Sequence, residues 1–269
     1  MSDSNVTRSP FPASDRVIYE HHTLAEVICQ LRFPTILEIG ASDPAAFQER
    51  IRDSYPLYER EFAAGIPVEI AEILNRLPVK GPVGQPSHRF STADSKRFVS
   101  LTPDFVALTE QTYERWEQFS QELTRVQKAL EEVYRPSFYN RIGLRYVNVI
   151  DKAELGLEGV SWSELVNSSL TGLLGASEIA SRVKEISGRA VILIDDLVPD
   201  GAATVQHGLV VRDNERLAYH LDADFYTQER KVGADVGRIL DVFHDLAGNL
   251  FRWSVSDQLR QALGPGGAK

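Results

Sequence analysis

The sequence has almost no cysteine and no long apolar run. Cys29 is the only cysteine among 269 residues, so an intramolecular disulfide and a cysteine-rich zinc site are both excluded. No window approaches the roughly 18 uninterrupted apolar residues of a membrane helix. The first residues also lack the apolar core of a signal peptide. These absences predict a cytoplasmic protein without a membrane span.

The common catalytic signatures are absent as well. The sequence contains no phosphate-binding loop, no dinucleotide-binding glycine motif, no nucleophile elbow and no His-Glu-x-x-His motif. This argues against the commonest nucleotide-hydrolysing, dinucleotide-dependent and zinc-hydrolase classes. We therefore predict no cofactor and no metal, and leave open whether the protein is an enzyme.

What the chain does contain is ordinary for a globular protein, with an excess of acidic residues. Apolar residues make up 43% and charged residues 25%, and the formal net charge is −9. A negative surface repels phosphate backbones, so nonspecific nucleic-acid binding is disfavoured. The length allows one large domain or two average ones.

Two long amphipathic helices are indicated. In the first, apolar residues step by three and four along one face: Trp116, Phe119, Leu123, Val126, Leu130 and Val133. Pro136 ends this helix. The stretch from Val236 to Leu250 has the same stepping, so a second helix is predicted near the C-terminus.

Strands are predicted before each long helix. Residues 27–33 and 141–151 alternate apolar and polar side chains. Further strand candidates are 88–92, 97–102 and 105–109 in the first half, and 179–186, 189–198, 204–212 and 216–226 in the second. The most apolar run of the chain, residues 190–194, is predicted to be a buried strand because it is short and β-branched.

The same order of strand, helix, antiparallel strands and long helix occurs twice. We therefore predict an α+β fold of two similar halves, residues 17–136 and 137–263, between a flexible lead (1–16) and a flexible tail (264–269). Joined halves would form a curved antiparallel sheet with the long helices on one face. This element order resembles the TATA-box-binding-protein-like and helix-grip folds.

Four stretches carry a family resemblance. Residues 27–34, 99–109, 116–119 and 141–148 resemble a set of prokaryotic proteins of about this length that occur sporadically in bacteria and archaea. The similarity spans about residues 20 to 260. It implies a bacterial or archaeal source, but no activity and no site residue, since that family has no established function.

The candidate binding residues are arginines on the first strand of each half. Arg141 and Arg145 are four residues apart and share one strand face, and Arg32 occupies a similar place in the other half. Such arginines grip a carboxylate or phosphate through paired hydrogen bonds. We predict a ligand site at Arg32, Arg141, Arg145 and Asn148, with Gln30 nearby. The alternative is that these arginines pair with acidic residues on adjacent strands.

A second set of residues suggests catalysis. Asp222 and Asp224 would share one strand face with His220, and Asp195-Asp196 ends a neighbouring strand. Such carboxylates hold Mg²⁺ or act as an acid/base pair. The alternative is a solvated strand face.

We predict a noncatalytic binding or interaction module that uses a concave sheet surface. Its partner would be a protein or a small anionic ligand, and homo-oligomerisation stays open. The alternatives are a hydrolase or metal-dependent enzyme using the Asp/His set, and a nucleic-acid-binding protein.

Overall fold

The computed structural model describes residues 9–62, 86–212 and 216–266. Within these ranges the chain is a mixed α+β protein with seven helices, as the element pattern predicts. The helices are α1 (Leu37–Ala41), α2 (Ala45–Ile51), α3 (Trp116–Tyr134), α4 (Trp162–Leu165), α5 (Ser168–Thr171), α6 (Val236–Ser254) and α7 (Asp257–Ala262). Among the described helices, none combines the length and the hydrophobicity needed to traverse a bilayer.

The strands build one large antiparallel sheet and one small one. They are β1 (Ile18–Tyr19), β2 (Leu24–Arg32), β3 (Leu57–Phe62), β4 (Pro86–Ser91), β5 (Arg97–Thr102), β6 (Phe105–Glu110), β7 (Arg141–Ile150), β8 (Ile186–Leu193), β9 (Gly201–Val211), β10 (Leu217–Thr227) and β11 (Pro265–Gly266). The large sheet has nine strands in the order β3-β4-β5-β6-β2-β7-β10-β9-β8, and β1 pairs with β11. The α+β class with a large antiparallel sheet is thus confirmed.

Contacts divide the chain into two compact units. We call Met1–Val27, Gly143–Gln228 and Gly237–Lys269 the terminal unit, and Ile28–Ile142 with Glu229–Val236 the middle unit. The boundary falls inside β2 and inside β7, so these two strands each contribute to both units. The internal duplication and the resemblance to the TATA-box-binding-protein-like and helix-grip folds stay predictions.

The middle unit packs α2 and α3 on its strands. Phe47 of α2 lies with its ring centroid 5.5 Å from that of Phe90 on β4 and 6.3 Å from that of Tyr134 on α3. The apolar stripe predicted for α3 is buried from Trp116 to Leu130. Pro136 follows directly after Arg135, which adopts a left-handed conformation (φ 49°) and ends the helix.

The terminal unit packs α6 and α7 on its strands. The apolar residues predicted for α6 are all buried, from Val236 to Leu250. Phe243 of α6 lies 6.1 Å from Phe225 of β10, measured between ring centroids. A buried apolar cluster joins Ile150 of β7 and Tyr219 of β10 to α4 and α7. Burial of these stripes supplies the main stabilisation of both long helices.

The ends of the chain lie partly against the terminal unit. Phe11 is buried, with its ring 6.3 Å from that of Trp253 on α6, and the backbone N–H of Ser14 donates to Asn249 Oδ1 at 3.2 Å. The strand β11 at Pro265–Gly266 pairs with β1. Residues 1–8 and 267–269 of the predicted lead and tail lie outside the described residues.

Two predictions for the second half are wrong: that residues 179–183 belong to a strand, and that the run 190–194 is buried. Residues 179–183 are not a strand, because Ala180 and Arg182 donate to carbonyls four and three residues back, both at 2.8 Å, and so form a turn. Residues 190–193 do form part of a strand, β8, but this strand is the last of the sheet and none of these four residues is buried. Only Ile194, which follows β8, is buried. A strand at a sheet edge has one strand neighbour to cover it instead of two. Strand β3 was not predicted.

Candidate functional site

The predicted ligand residues Arg32 and Arg141 lie in the middle unit, and each has a polar partner. Arg32 Nη2 lies 2.5 Å from Asp104 Oδ2, with the arginine side chain half exposed. Arg141 Nη1 donates to Gln30 Oε1 at 2.9 Å. The pairing of Arg32 with an acidic residue is the alternative that the sequence left open.

Arg145 lies in the terminal unit and is held by Asp222. Its Nε and Nη2 donate to the two carboxylate oxygens of Asp222 at 2.7 and 2.6 Å. This bidentate bond raises the pKa of Arg145, and the negative charges of Asp222, Asp224 and Glu26 contribute in the same direction. Both oxygens of Asp222 are therefore engaged by one guanidinium.

Asn148 lies in the same unit but on the other side of β7. It is three residues from Arg145, and an odd separation along a strand places two side chains on opposite faces. Its Oδ1 accepts from Thr23 Oγ1 at 2.9 Å, and its Nδ2 lies 3.5 Å from the carbonyl oxygen of Leu221. Asn148 thus bonds to the residue before β2 and lies close to β10, and it does not converge with Arg145 on one site.

The sheet of the terminal unit has two chemically different faces. One face, which includes Tyr146 and Phe225, packs on α6, and the Tyr146 hydroxyl lies 2.8 Å from His244 Nδ1. The strand registers place a polar set on the other face. We call it the polar face: Arg145 and Val147 of β7, His220, Asp222 and Asp224 of β10, Thr204 and Gln206 of β9, and Ser187, Arg189, Val191 and Leu193 of β8.

The predicted Asp/His set lies on this polar face. Asp222 is paired across the strands with Val147, Asp224 with Arg145 and His220 with Val149, so all three share one side as expected. Asp195 and Asp196 follow the end of β8 and are exposed. No group of three histidine, cysteine or carboxylate side chains within the described ranges has the geometry of a metal site.

The edge of the polar face is apolar and exposed. Strand β8 is last in the sheet order and pairs with β9. Its side chains Val191 and Leu193 are 48% and 70% exposed and lie on the same face as Arg189. Sequence reasoning missed this edge because it assigned the run to the interior. The run has the composition of a buried strand, and composition does not reveal whether a strand lies inside a sheet or at its edge.

A glycine allows β8 to approach β9 closely. Gly208 of β9 has φ 150°, and a Cβ atom there would lie 1.9 Å from the carbonyl oxygen of Ile186 on β8. Gly188 of β8 lies over the ring of His207, where an added Cβ would come within 2.3 Å of Nε2. The contact between the edge strand and the sheet therefore depends on two glycines.

A second candidate site is a small cleft of about 270 Å³ where β1 leads into β2. Its lining includes His21, His22, Asp151 and Glu154, and the two histidines are exposed, as expected. Asp151 is buried, and its Oδ2 lies 3.6 Å from Nη1 of both Arg212 and Arg216. The cleft is acidic, but its buried carboxylate is already ion-paired.

No protein-family model matches the chain, and no curated protein sequence matches it significantly. Function therefore has to be inferred from the geometry of the polar face and of its edge.

Proposed function

We propose that this chain is a noncatalytic binding protein that engages a protein partner through the polar face and its edge strand β8. The observation that carries this proposal is that Val191 and Leu193, in the most apolar run of the sequence, are 48% and 70% exposed on a sheet edge. Exposed apolar side chains on an edge strand promote association unless they are covered.

The edge offers the elements of recognition by strand addition. The outer side of β8 presents backbone N–H and C=O groups, and main-chain hydrogen bonds to them would supply affinity. Alternate side chains would supply specificity, since Arg189, Val191 and Leu193 all point to one face. A partner strand that alternates apolar and polar residues would match this pattern.

The charge around Arg145 disfavours a small anionic ligand. The carboxylates of Asp222, Asp224 and Glu26 all act on this guanidinium. Their negative charge would repel an incoming anion. The small-anion site predicted at Arg32, Arg141, Arg145 and Asn148 stays a separate proposal, and an anion that reaches Arg145 would have to displace Asp222.

The alternative of a hydrolase that uses Asp222 has less support. Both of its carboxylate oxygens accept hydrogen bonds from Arg145, so Asp222 would have to leave this partner to accept a proton from substrate.

The test is a matched pair of surface substitutions. Leu193→Asp places a charge on the edge, and Leu37→Asp places the same charge on an equally exposed leucine (79%) of the middle unit. The tagged full chain and both variants are used to capture partners from host extract, and the captured protein is then purified and rebound. Leu193→Asp should abolish stoichiometric capture and Leu37→Asp should preserve it. Equal capture by all three proteins would refute the proposal.

A further inference from the structure

The edge strand β8 has chemistry that fits a copy of itself. We propose that two copies of this chain associate through antiparallel pairing of β8 with β8, about a twofold axis at Val191. The inference rests on the proposed function, because it names the partner that occupies the same edge. It predicts one sheet that continues across two copies, with both polar faces on the same side.

The alignment of the two β8 strands is limited by the position of Arg189 in each copy. A twofold axis perpendicular to the sheet keeps both polar faces on one side and sets each residue opposite a residue of the same face. An axis at Arg189 would set this arginine directly opposite its own copy, which is repulsive. An axis at Ala190 would set Arg189 diagonally across from its own copy and Leu193 opposite Ser187. An axis at Val191 avoids both contacts and pairs residues 189–193, whereas an axis at Ile192 would pair only residues 191–193 of each strand.

The register about Val191 covers the exposed apolar side chains. Val191 would lie opposite Val191 of the second copy, and Leu193 opposite the aliphatic stem of Arg189. These two apolar residues are 48% and 70% exposed in the single chain. Apolar cross-strand pairs of this kind stabilise antiparallel sheets. The Val191–Val191 pair forms once, on the axis, and the Leu193–Arg189 pair forms twice, once on each side of it.

The same register brings opposite charges together. Asp195 begins the turn after β8, and in this register Asp195 of the second copy would lie within reach of the long side chain of Arg189. Both residues are exposed, and within the described part of the chain neither Arg189 nor Asp195 forms an ion pair. Two such pairs would form for each dimer. The charge pattern along this edge is therefore self-complementary in the antiparallel direction.

Cross-linking tests the position of the axis. Cys29 is fully buried, so a cysteine introduced on the edge would be the accessible thiol. Val191→Cys should oxidise to a covalent dimer, because facing residues of antiparallel strands have Cβ atoms about 5 Å apart. Ser187→Cys is the control on the same strand face, and its two copies would lie roughly 25 Å apart in this register. Equal cross-linking of both variants would overturn the proposal.

A charge exchange tests the predicted ion pair in the uncrosslinked protein. Sedimentation equilibrium should show a reversible dimer of the full chain. Arg189→Asp should raise its dissociation constant about tenfold, because it replaces two attractive pairs with two repulsive ones. The double variant Arg189→Asp with Asp195→Arg should restore dimerisation. If the double variant does not dimerise, the proposed register is wrong.

The remaining outcomes separate this inference from the proposed function. A chain that stays monomeric throughout the micromolar range overturns self-pairing. If Leu193→Asp nevertheless abolishes capture of a different protein, the proposed function stands and only the identity of the partner is wrong. If the chain dimerises at β8 and captures no other protein, the self-pairing stands and a heterologous partner is ruled out. Circular dichroism of each variant confirms that the exposed substitutions leave the fold intact.

Discussion

Strands β7 and β8 belong to the same sheet and are both rich in apolar residues, yet their surroundings are opposite. Strand β7 lies in the interior of the strand order, and only Arg141, Arg145 and Val149 in it are not fully buried. Strand β8 lies at the end, and none of its residues is buried. The comparison shows that apolar composition predicts a strand but not the number of its neighbours.

The difference extends to the charged residues of the two strands. Arg145 of β7 donates from Nε and Nη2 to the two carboxylate oxygens of Asp222, which lies on the adjacent strand. Arg189 of β8 is exposed and has no ion pair within the described residues. A central strand satisfies its charges within the sheet, whereas an edge strand retains the capacity to bind a partner.

The largest expected effect on the free energy of unfolding is in the inner strand β7. Leu144 of β7 is fully buried, so Leu144→Ala removes apolar contacts and leaves a cavity. We expect a loss of about 3 kcal/mol in the free energy of unfolding, measured by urea denaturation. A loss below about 1 kcal/mol would show that the centre of the sheet is less well packed than its burial implies.

A smaller effect is expected where the edge strand joins the sheet. Gly208→Ala would force a side chain into backbone at φ 150° and against the Ile186 carbonyl. We expect a loss of about 2 kcal/mol, together with faster amide hydrogen exchange in β8 than in β7. Gly237→Ala is the matched control, since a Cβ at that helical position meets nothing within 4 Å. Uniform loss of protection in both strands would contradict the local character of this contact.

Low pH should weaken the same contact between β8 and β9. His207 lies beneath Gly188 of β8, with Nδ1 2.8 Å from the Tyr219 hydroxyl, and burial lowers the pKa of this histidine. The unfolded chain takes up a proton near the ordinary histidine pKa of about 6.5, and the folded chain only at lower pH. The contribution of His207 to stability should therefore be fully present above about pH 6.5, and it should be lost as the pH drops through the pKa of this histidine in the folded chain.

The measurement is the urea midpoint at about pH 5 and about pH 7.5, on either side of the unfolded pKa. The difference between the two midpoints should shrink in His207→Gln. It should not vanish, because burial also lowers the pKa of His88 in the middle unit. An unchanged difference would show that His207 does not carry the acid sensitivity.

The smallest expected effect is on the stability of the edge itself. Leu193→Ala makes the same chemical change as Leu144→Ala, but at a side chain that is 70% exposed. At protein concentrations too low for association, the free energy of unfolding should change by no more than about 0.5 kcal/mol. A loss as large as that of Leu144→Ala would mean that this leucine is covered within a single chain.

The candidate site could be predicted only in part. The alternation of β7 already separates Asn148 from Arg145, and the sequence left open that the arginines pair with acidic residues. The identity of the partner could not be predicted, because Asp222 is 77 residues from Arg145 along the chain. A strand register, and not local spacing, brings the two together.

Local periodicity was enough to predict the two long helices and the first strand of each half. The three-and-four stepping predicted α3 and α6, and the alternation predicted β2 and β7, because helical and strand periods depend on backbone geometry alone. The strand order and the exposure of residues 190–193 depend instead on tertiary contacts. Burial depends on the neighbours that a strand acquires in the folded chain, and those neighbours come from distant parts of the sequence.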